Sequence, residues 1–356
     1  MRFGAHANGE PANGTDTDVA YPPLKAGLNL WIEYSNETWN GGFDAFAYTQ
    51  AKATELGLPN RSQAHGQLSR DVFQTVERAM GGRDRLVRVV AGQAVNPWHL
   101  RQALLQLPDR GSVGGPDVLS STSYFGKKRG EGNLTSTVQW INDALDPSNP
   151  DDTLTPAEQA GAFALVDESI DYYGDKWRET GDLAKDEGLL YVAYESNQHM
   201  EASSVPGSVQ HPNLPDVLAD LMRDDRMRDR YVAAKDAFVD AGGRTINLFS
   251  DVGAWSKFGQ WGHLEYQNQP TDEATLYAGA MEHIRGQYDQ NNLPAGTVVT
   301  LENNQHRGQY LRARSGGSVD MTANASAPAT RWIVRDEDGF RLESVRFPGK
   351  FLDIDF

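Results

Sequence analysis

The chain contains no cysteine. Disulfides, a thiolate nucleophile and cysteine-based metal centres are thereby excluded, although the compartment stays open. Long apolar runs are missing as well: no stretch reaches the roughly 18 to 20 residues that a membrane-spanning helix needs. The first 25 residues are rich in Gly, Asn, Asp, Thr and Pro and lack the charged start and apolar stretch of a signal peptide, so any export signal is expected outside this sequence. Basic residues are the minority, 33 Lys and Arg against 49 Asp and Glu, giving a formal net charge of −16. That balance argues against nucleic acid and anionic membranes as partners. A neutral polysaccharide is compatible with it, and so is an acidic surface kept only for solubility.

Several cofactor signatures are also missing. There is no Gly-x-Ser-x-Gly elbow, phosphate loop or dinucleotide fingerprint. His199, His211 and His263 lack metal-ligand spacing. The stretch Asp146 to Asp152 lacks the glycine and terminal Glu of a calcium loop and reads as an acidic loop. No cofactor and no metal are expected.

The chain does carry ample core material, with 39% hydrophobic residues including 13 Phe, 13 Tyr and 8 Trp. Its length suits one large domain and part of another. From residue 28, short apolar strands alternate with longer amphipathic helices. Strands are expected at Leu28 to Tyr34, Leu86 to Val90, Val118 to Ser121, Leu189 to Tyr194 and Thr245 to Phe249. Helices are expected at Phe43 to Leu56, Gln63 to Met80, His99 to Leu107, Pro156 to Lys185, and Leu214 to Ala241 with a break. Thr155-Pro156-Ala157-Glu158 reads as a capping box with proline at the first helical position. Alternation of this kind implies parallel βα units in an α/β fold. A closed (β/α)₈ barrel needs eight units of about 30 residues. Five are visible, leaving two options: an open parallel sheet, or the last five units of a barrel.

After Asn291-Asn292-Leu293-Pro294 the character changes. Turn signals and short alternating runs at Thr297 to Leu301, Gln309 to Ala313, Arg331 to Val334 and Phe340 to Glu343 predict an all-β segment. Gln309-Tyr310-Leu311-Arg312 and Lys350-Phe351-Leu352-Asp353 form an internal echo, of a spacing found in β-trefoils. The expected division is therefore an irregular segment 1–27, a barrel portion 28–290 and a partial trefoil-like segment 295–356.

Two glutamates stand out. Glu37 closes the run from Trp31, and Glu195 closes the run Leu189 to Tyr194. Regular alternation puts Trp31, Glu33, Ser35 and Glu37 on one face. Carboxylates at the carboxyl ends of strands occupy the active-site end of a barrel and suit chemistry on a glycosidic bond. Each also suits an ordinary helix start, since acidic residues favour the first turn. Sugar-binding residue types accompany them: Asn36 and Trp39 beside Glu37, Gln93 and Asn96 after the second strand, Tyr124 after the third, His199 after Glu195, and Asp251, Trp255 and Trp261 after the fifth. Tyr124 is placed to hydrogen-bond a nucleophilic carboxylate and lower its pKa. Glu33 is expected deeper than Glu37 and paired with Arg88, because an unpaired buried charge is expensive.

The segments Ile32-Glu33-Tyr34-Ser35-Asn36-Glu37-Thr38-Trp39-Asn40, Arg85 to Gln93, Asp117-Val118-Leu119 with Tyr124-Phe125-Gly126, Tyr194-Glu195 with Gln198-His199, and Phe258-Gly259-Gln260-Trp261-Gly262 together resemble a family of bacterial, mostly secreted (β/α)₈ proteins. These are related to the retaining glycoside hydrolases of clan A, whose Asn-Glu acid/base ends strand 4 and whose nucleophile ends strand 7. The resemblance spans residues 28 to about 285. It implies a TIM barrel of which strands 4 to 8 are visible and the N-terminal ones are not. It maps Glu37 to the acid/base, Asn36 to its partner and Glu195 to the nucleophile. The tail resembles the arabinose-binding β-trefoil of arabinofuranosidases, but only about half of that domain is present, and its Tyr-Leu-Arg-His ending reads Phe351-Leu352-Asp353 in the second copy. The resemblance implies a secreted, monomeric hydrolase acting on a polysaccharide or oligosaccharide by double displacement. The alternatives are a non-catalytic carbohydrate-binding or adhesion module and an inactive glycosidase fragment.

Overall fold

The computed structural model describes residues 27–126, 136–290, 298–301, 310–314, 318–323, 328–336, 340–348 and 350–352, with Thr17, Ala20, Leu24 and Lys25. The chain divides into two units, Met1–Met281 and Glu282–Phe356.

In the first unit the order is β1 (Leu30–Glu33), α1 (Asp44–Glu55), α2 (Arg61–Met80), β2 (Leu86–Ala91), α3 (Pro97–Leu104), β3 (Val118–Thr122), α4 (Thr137–Ala144), α5 (Pro156–Asp186), β4 (Leu190–Glu195), α6 (Leu214–Arg223), α7 (Asp225–Asp240) and β5 (Gly243–Ile246). Helix α8 (Thr275–Gln290) runs across the division. The five expected strands all form, within a few residues of their expected bounds. Helix α8 was not expected, and neither was α4. Helix α4 is eight residues long and starts from Ser136, whose hydroxyl accepts from Gln139 N at 3.3 Å. The capping box forms as read: Thr155 Oγ1 accepts from Glu158 N (3.3 Å), and Glu158 Oε2 accepts from Thr155 N (2.8 Å). The break expected between Leu214 and Ala241 falls at Asp224, which leaves the helical conformation (ψ 134°) and caps α7 by accepting from Arg226 N.

The strands form one parallel sheet in the order β1-β2-β3-β4-β5. A doubly wound sheet reverses its strand order at a switch point; this one never does. Crossovers that are all right-handed and all advance the same way put every helix on one face. The packing agrees. Val90, Leu119, Tyr191 and Ala193 share one core with helix residues Phe73, Leu100, Trp177 and Phe238. Val89, Val118 and Val192, on the other face, form a small separate cluster. Trp31 lies half exposed on that second face. Among the described residues β1 and β5 are the edges of the sheet.

The expected Glu33–Arg88 pair does not form. The register sets Ile32 opposite Arg88 and Glu33 opposite Val89. Laterally paired residues of a sheet project from the same face, so Arg88 points with Ile32 into the helical layer and Glu33 points the other way. Arg88 is buried against Glu77 of α2, with which it forms an ion pair, and against Asp117 through its Nε (2.8 Å) and Nη2 (2.9 Å). Burial pulls the guanidinium pKa down, and the hydrogen bonds and charges of Asp117 and Glu77 more than reverse it. Strand proximity alone would match the two residues, but the register sets them one residue out of phase.

The second unit is antiparallel, with β6 (Val298–Thr300), β7 (Tyr310–Ala313), β8 (Val319–Thr322), β9 (Arg331–Asp336) and β10 (Phe340–Ser344) in sheets ordered β10-β9-β6 and β7-β8. All four expected runs form strands, and β8 is additional. Trp332, Ala313 and Leu342 make the core, with Leu301, Leu311 and Leu352 against it. The echo in the sequence has a backbone counterpart. Leu311 N donates to Leu301 O and Leu352 N donates to Leu342 O, both at 2.8 Å. Asp320 accepts from Arg312 and Arg314, which hold its carboxyl well below the usual range.

Candidate active site

Strand β1 stops at Glu33, and the chain then enters the left-handed region at Ser35 (φ 55°) and Glu37 (φ 41°). The alternation expected to carry Trp31 through Glu37 along one face therefore ends early. Non-glycine residues in this conformation cost of order 1–3 kcal/mol each and persist only where the surroundings hold them, often at functional sites. Here Asn40 holds Glu37 twice: its backbone N donates to Glu37 O (2.9 Å), and its Nδ2 donates to Glu37 Oε2 (2.8 Å). The hydroxyl of Tyr194 on β4 donates to the other carboxylate oxygen, Oε1, at 3.1 Å.

Glu195 ends β4. A regular strand would send Tyr194 and Glu195 to opposite faces. The β3–β4 register instead slips after Ser121, so that Thr122 pairs with Glu195 and Tyr194 is skipped. A bulge of this kind re-aims side chains. Consequently Tyr194 reaches Glu37, while Glu195 Oε2 accepts from the hydroxyl of Tyr124 at 2.9 Å. Burial raises the pKa of Glu195; the Tyr124 hydrogen bond opposes this and the Glu37 charge adds to it, leaving a net upward shift. The sequence reading anticipated the contact and the sign of its contribution, but not that burial outweighs it. The hydroxyl of Tyr124 is itself pushed above its ordinary range, by burial and then by the Glu195 charge.

Glu33 is the third carboxylate of the group. Burial, then the charges of Glu37 and Glu195, push it up to about 8. Glu33 nevertheless stays in contact with solvent, because a concave position can be hemmed in by protein and remain wet. The direction follows from the like charges: one proton held at Glu33 relieves repulsion among three acids.

A cavity of about 330 Å³ opens at these strand ends, lined by Glu37, Trp39, Asn40, Gln93, Thr122, Tyr124, Tyr173, Tyr194 and His199 among others. Four of the expected binding residues, Trp39, Gln93, Tyr124 and His199, thus meet Glu37 at one hollow. Trp261 joins them through ring contacts, 5.8 Å from Tyr124 and 5.6 Å from His199 between centroids. Asn36 is exposed, and Asn96 stands at the N-cap position of α3 without a side-chain capping hydrogen bond; neither is among the lining residues. Trp255 lines a different hollow of about 290 Å³, where Arg223 lies 5.1 Å from its ring and its Nε1 donates to Gly262 O (2.9 Å).

Asn40 and Tyr194 were missed as site residues. The three-residue spacing from Glu37 could have pointed to Asn40, but nothing in the sequence shows the bulge that turns Tyr194. A further unanticipated support lies beneath Trp39. His65 Nδ1 and His99 Nε2 share a hydrogen bond of 2.9 Å, Ser62 Oγ bonds His99 Nδ1 (2.8 Å), and the Trp39 ring stands edge-on to His99 at 5.6 Å. Burial and then the charge of Arg61 lower His99 to about 4; burial, then His99 and Arg61, lower His65 well below its usual value. Both imidazoles are neutral packing partners for the tryptophan. Among the described residues no group of three or more His, Asp and Glu could hold a metal ion.

No protein-family model matches the sequence. No curated protein matches it either. Among solved structures the chain is similar to a 4-O-alpha-L-rhamnosyl-beta-D-glucuronidase from Fusarium oxysporum 12S, described as a Rha-GlcA complex, with 10% identity and a TM-score of 0.35. The match covers 82% of this chain and 47% of that one, so the chain spans about half the length of that structure.

Proposed function

We propose that the chain is a retaining glycoside hydrolase acting on a polysaccharide or oligosaccharide. The observation that carries this reading is the pair of carboxylates in the turn after β1 and at the end of β4, each oriented by a tyrosine hydroxyl: Tyr194 on Glu37 and Tyr124 on Glu195. In this reading the five parallel strands are part of a (β/α)₈ wall, with the site at its usual carboxyl end. Glu37 protonates the leaving glycosidic oxygen while Glu195 attacks the anomeric carbon. The bond to the aglycone breaks and a glycosyl ester forms on Glu195. Glu37, now ionised, takes a proton from water, which attacks the same carbon and frees Glu195. Trp39 and Trp261 offer faces on which a sugar ring can stack, and Gln93 and His199 offer hydrogen bonds to hydroxyls. The tail would be an accessory carbohydrate-binding segment of trefoil type, and the protein a secreted one.

The upward shift at Glu195 favours a second reading, in which the roles are reversed and Glu195 is the proton donor. Azide separates the two. Glu195→Ala should abolish turnover of activated aryl glycosides, and added azide should restore it with a glycosyl azide of inverted configuration. A retained azide adduct from that variant would assign Glu195 as acid/base. Unchanged turnover in both Glu195→Ala and Glu37→Ala would remove these two glutamates from the reaction; no turnover in the parent would remove the hydrolase reading and leave carbohydrate binding.

A further inference from the structure

Lys235 lies in the middle of α7, is 1% exposed, and sits directly under the ends of β3 and β4. Fully buried lysines are rare, because removing an amine from water is costly and the long stem normally carries it to the surface. Here the amine meets oxygens and rings rather than a carboxylate, among the described residues. Its Nζ donates to Ser123 O at 3.1 Å and to Ser196 Oγ, and stands 4.5 Å from the Tyr231 ring and 5.4 Å from the Phe125 ring. Ser123 and Ser196 are themselves tied together. Ser123 Oγ donates to Ser196 Oγ (2.5 Å), Ser196 Oγ also reaches Ser123 O (3.3 Å), and Ser123 N donates to Glu195 O (2.9 Å). Each serine is the immediate chain neighbour of one member of the Tyr124–Glu195 hydrogen bond. Burial lowers the amine's pKa well below its usual value, consistent with a neutral donor that needs no counter-ion.

We propose that Lys235 is a positioning residue for Glu195, fixing the spacing of Tyr124 and Glu195 by clamping the two serines beside them. The inference rests on the role given to Glu195 above. An apolar side chain of similar length would fill the same space without the desolvation cost. What it would lack is the link between the two strand ends beyond the slip in their register, where the ladder alone no longer fixes side-chain direction.

The test is the titration of Glu195, followed by side-chain carboxyl NMR on carbon-13 glutamate-labelled protein and identified by the signal that Glu195→Gln removes. Glu195 is faced by Glu33 at the end of β1, by Glu37 in the turn after it and by Tyr124 just beyond β3, with Tyr194 beside it on β4. All are kept in Lys235→Met and Ser196→Ala. Both variants should raise the Glu195 midpoint, in the direction produced by Tyr124→Phe, and Lys235→Met should add little to a Tyr124→Phe background. A midpoint unchanged in folded Lys235→Met, with only a lowered thermal transition, would make Lys235 merely structural and overturn the proposal. Should Lys235→Met not fold, an unchanged midpoint in Ser196→Ala would overturn it equally. The titration needs no substrate. Failure of the reading of Glu195 as a reacting group would show separately, as full turnover in Glu195→Ala.

Discussion

The hydroxyl of Tyr194 donates to the carboxylate of Glu37 at 3.1 Å, joining residues 157 positions apart in the chain. The contact exists because β4 slips its register against β3 at this tyrosine. It leaves Glu195, the next residue, to accept from Tyr124. Of two adjacent residues of one strand, Tyr194 thus holds the carboxylate of Glu37 and Glu195 is the second carboxylate of the site.

Tyr194→Phe should therefore weaken turnover without unfolding the protein. A hydrogen bond to a charged group contributes about 1.5–3 kcal/mol, which corresponds to a loss in kcat of roughly 10- to 150-fold if it is expressed in the transition state. Steady-state kinetics with circular dichroism as the folding control would check this. A variant as active as the parent would remove Tyr194 from the site.

Tyr124→Phe should move the acid limb of the pH profile. The Tyr124 hydrogen bond favours the ionised form of Glu195, against burial and the Glu37 charge. Without it the Glu195 pKa rises further. If ionised Glu195 is the nucleophile, activity then appears only at higher pH, so the acid limb of kcat/KM moves upward. A downward move would show that the hydroxyl stabilises the protonated carboxyl instead.

Glu33 makes a separate prediction about stability. Its folded pKa, about 8, lies above the ordinary glutamate value of 4.5. Between those values the folded state binds more protons than the unfolded state, so stability falls as pH rises through that window. Its contribution is fully present below 4.5 and lost above 8. Thermal melting across this range should show a steeper decline in the parent than in Glu33→Gln; identical slopes would show that solvent screens the shift.

Much of this was legible in the sequence. Five strands, the capping box at Thr155 and a break somewhere between Leu214 and Ala241 follow from local propensity and spacing, which act within a few residues. The placement of Glu195 at the end of β4 was legible for the same reason, whereas Glu37 falls in the turn beyond β1. What failed was parity. Glu33 and Arg88 are on neighbouring strands, but a shift of one residue sends their side chains to opposite faces. Tyr194 escaped because its direction depends on a bulge set by tertiary contacts, and the left-handed turn at Ser35 and Glu37 is likewise invisible to alternation. Helix α4, eight residues long, is too short for its periodicity to stand out.

The Arg88 cluster gives the clearest stability test. Arg88→Met would leave Glu77 buried without its cation. Breaking a buried pair by removing one partner costs about 3–5 kcal/mol. Denaturant unfolding should show a loss of that order. A loss under about 1 kcal/mol would mean that water or relaxation replaces the guanidinium, since a median exposed pair contributes no more than this.

The most direct test of the central claim is covalent trapping. The protein would be incubated with a panel of fluoroglycoside inactivators, which form the glycosyl ester but release it slowly, and the labelled peptide located by mass spectrometry. The account predicts one sugar attached through Glu195 and no label in Glu195→Ala. Label on Glu37, or turnover of the matching glycoside without any label, would contradict it.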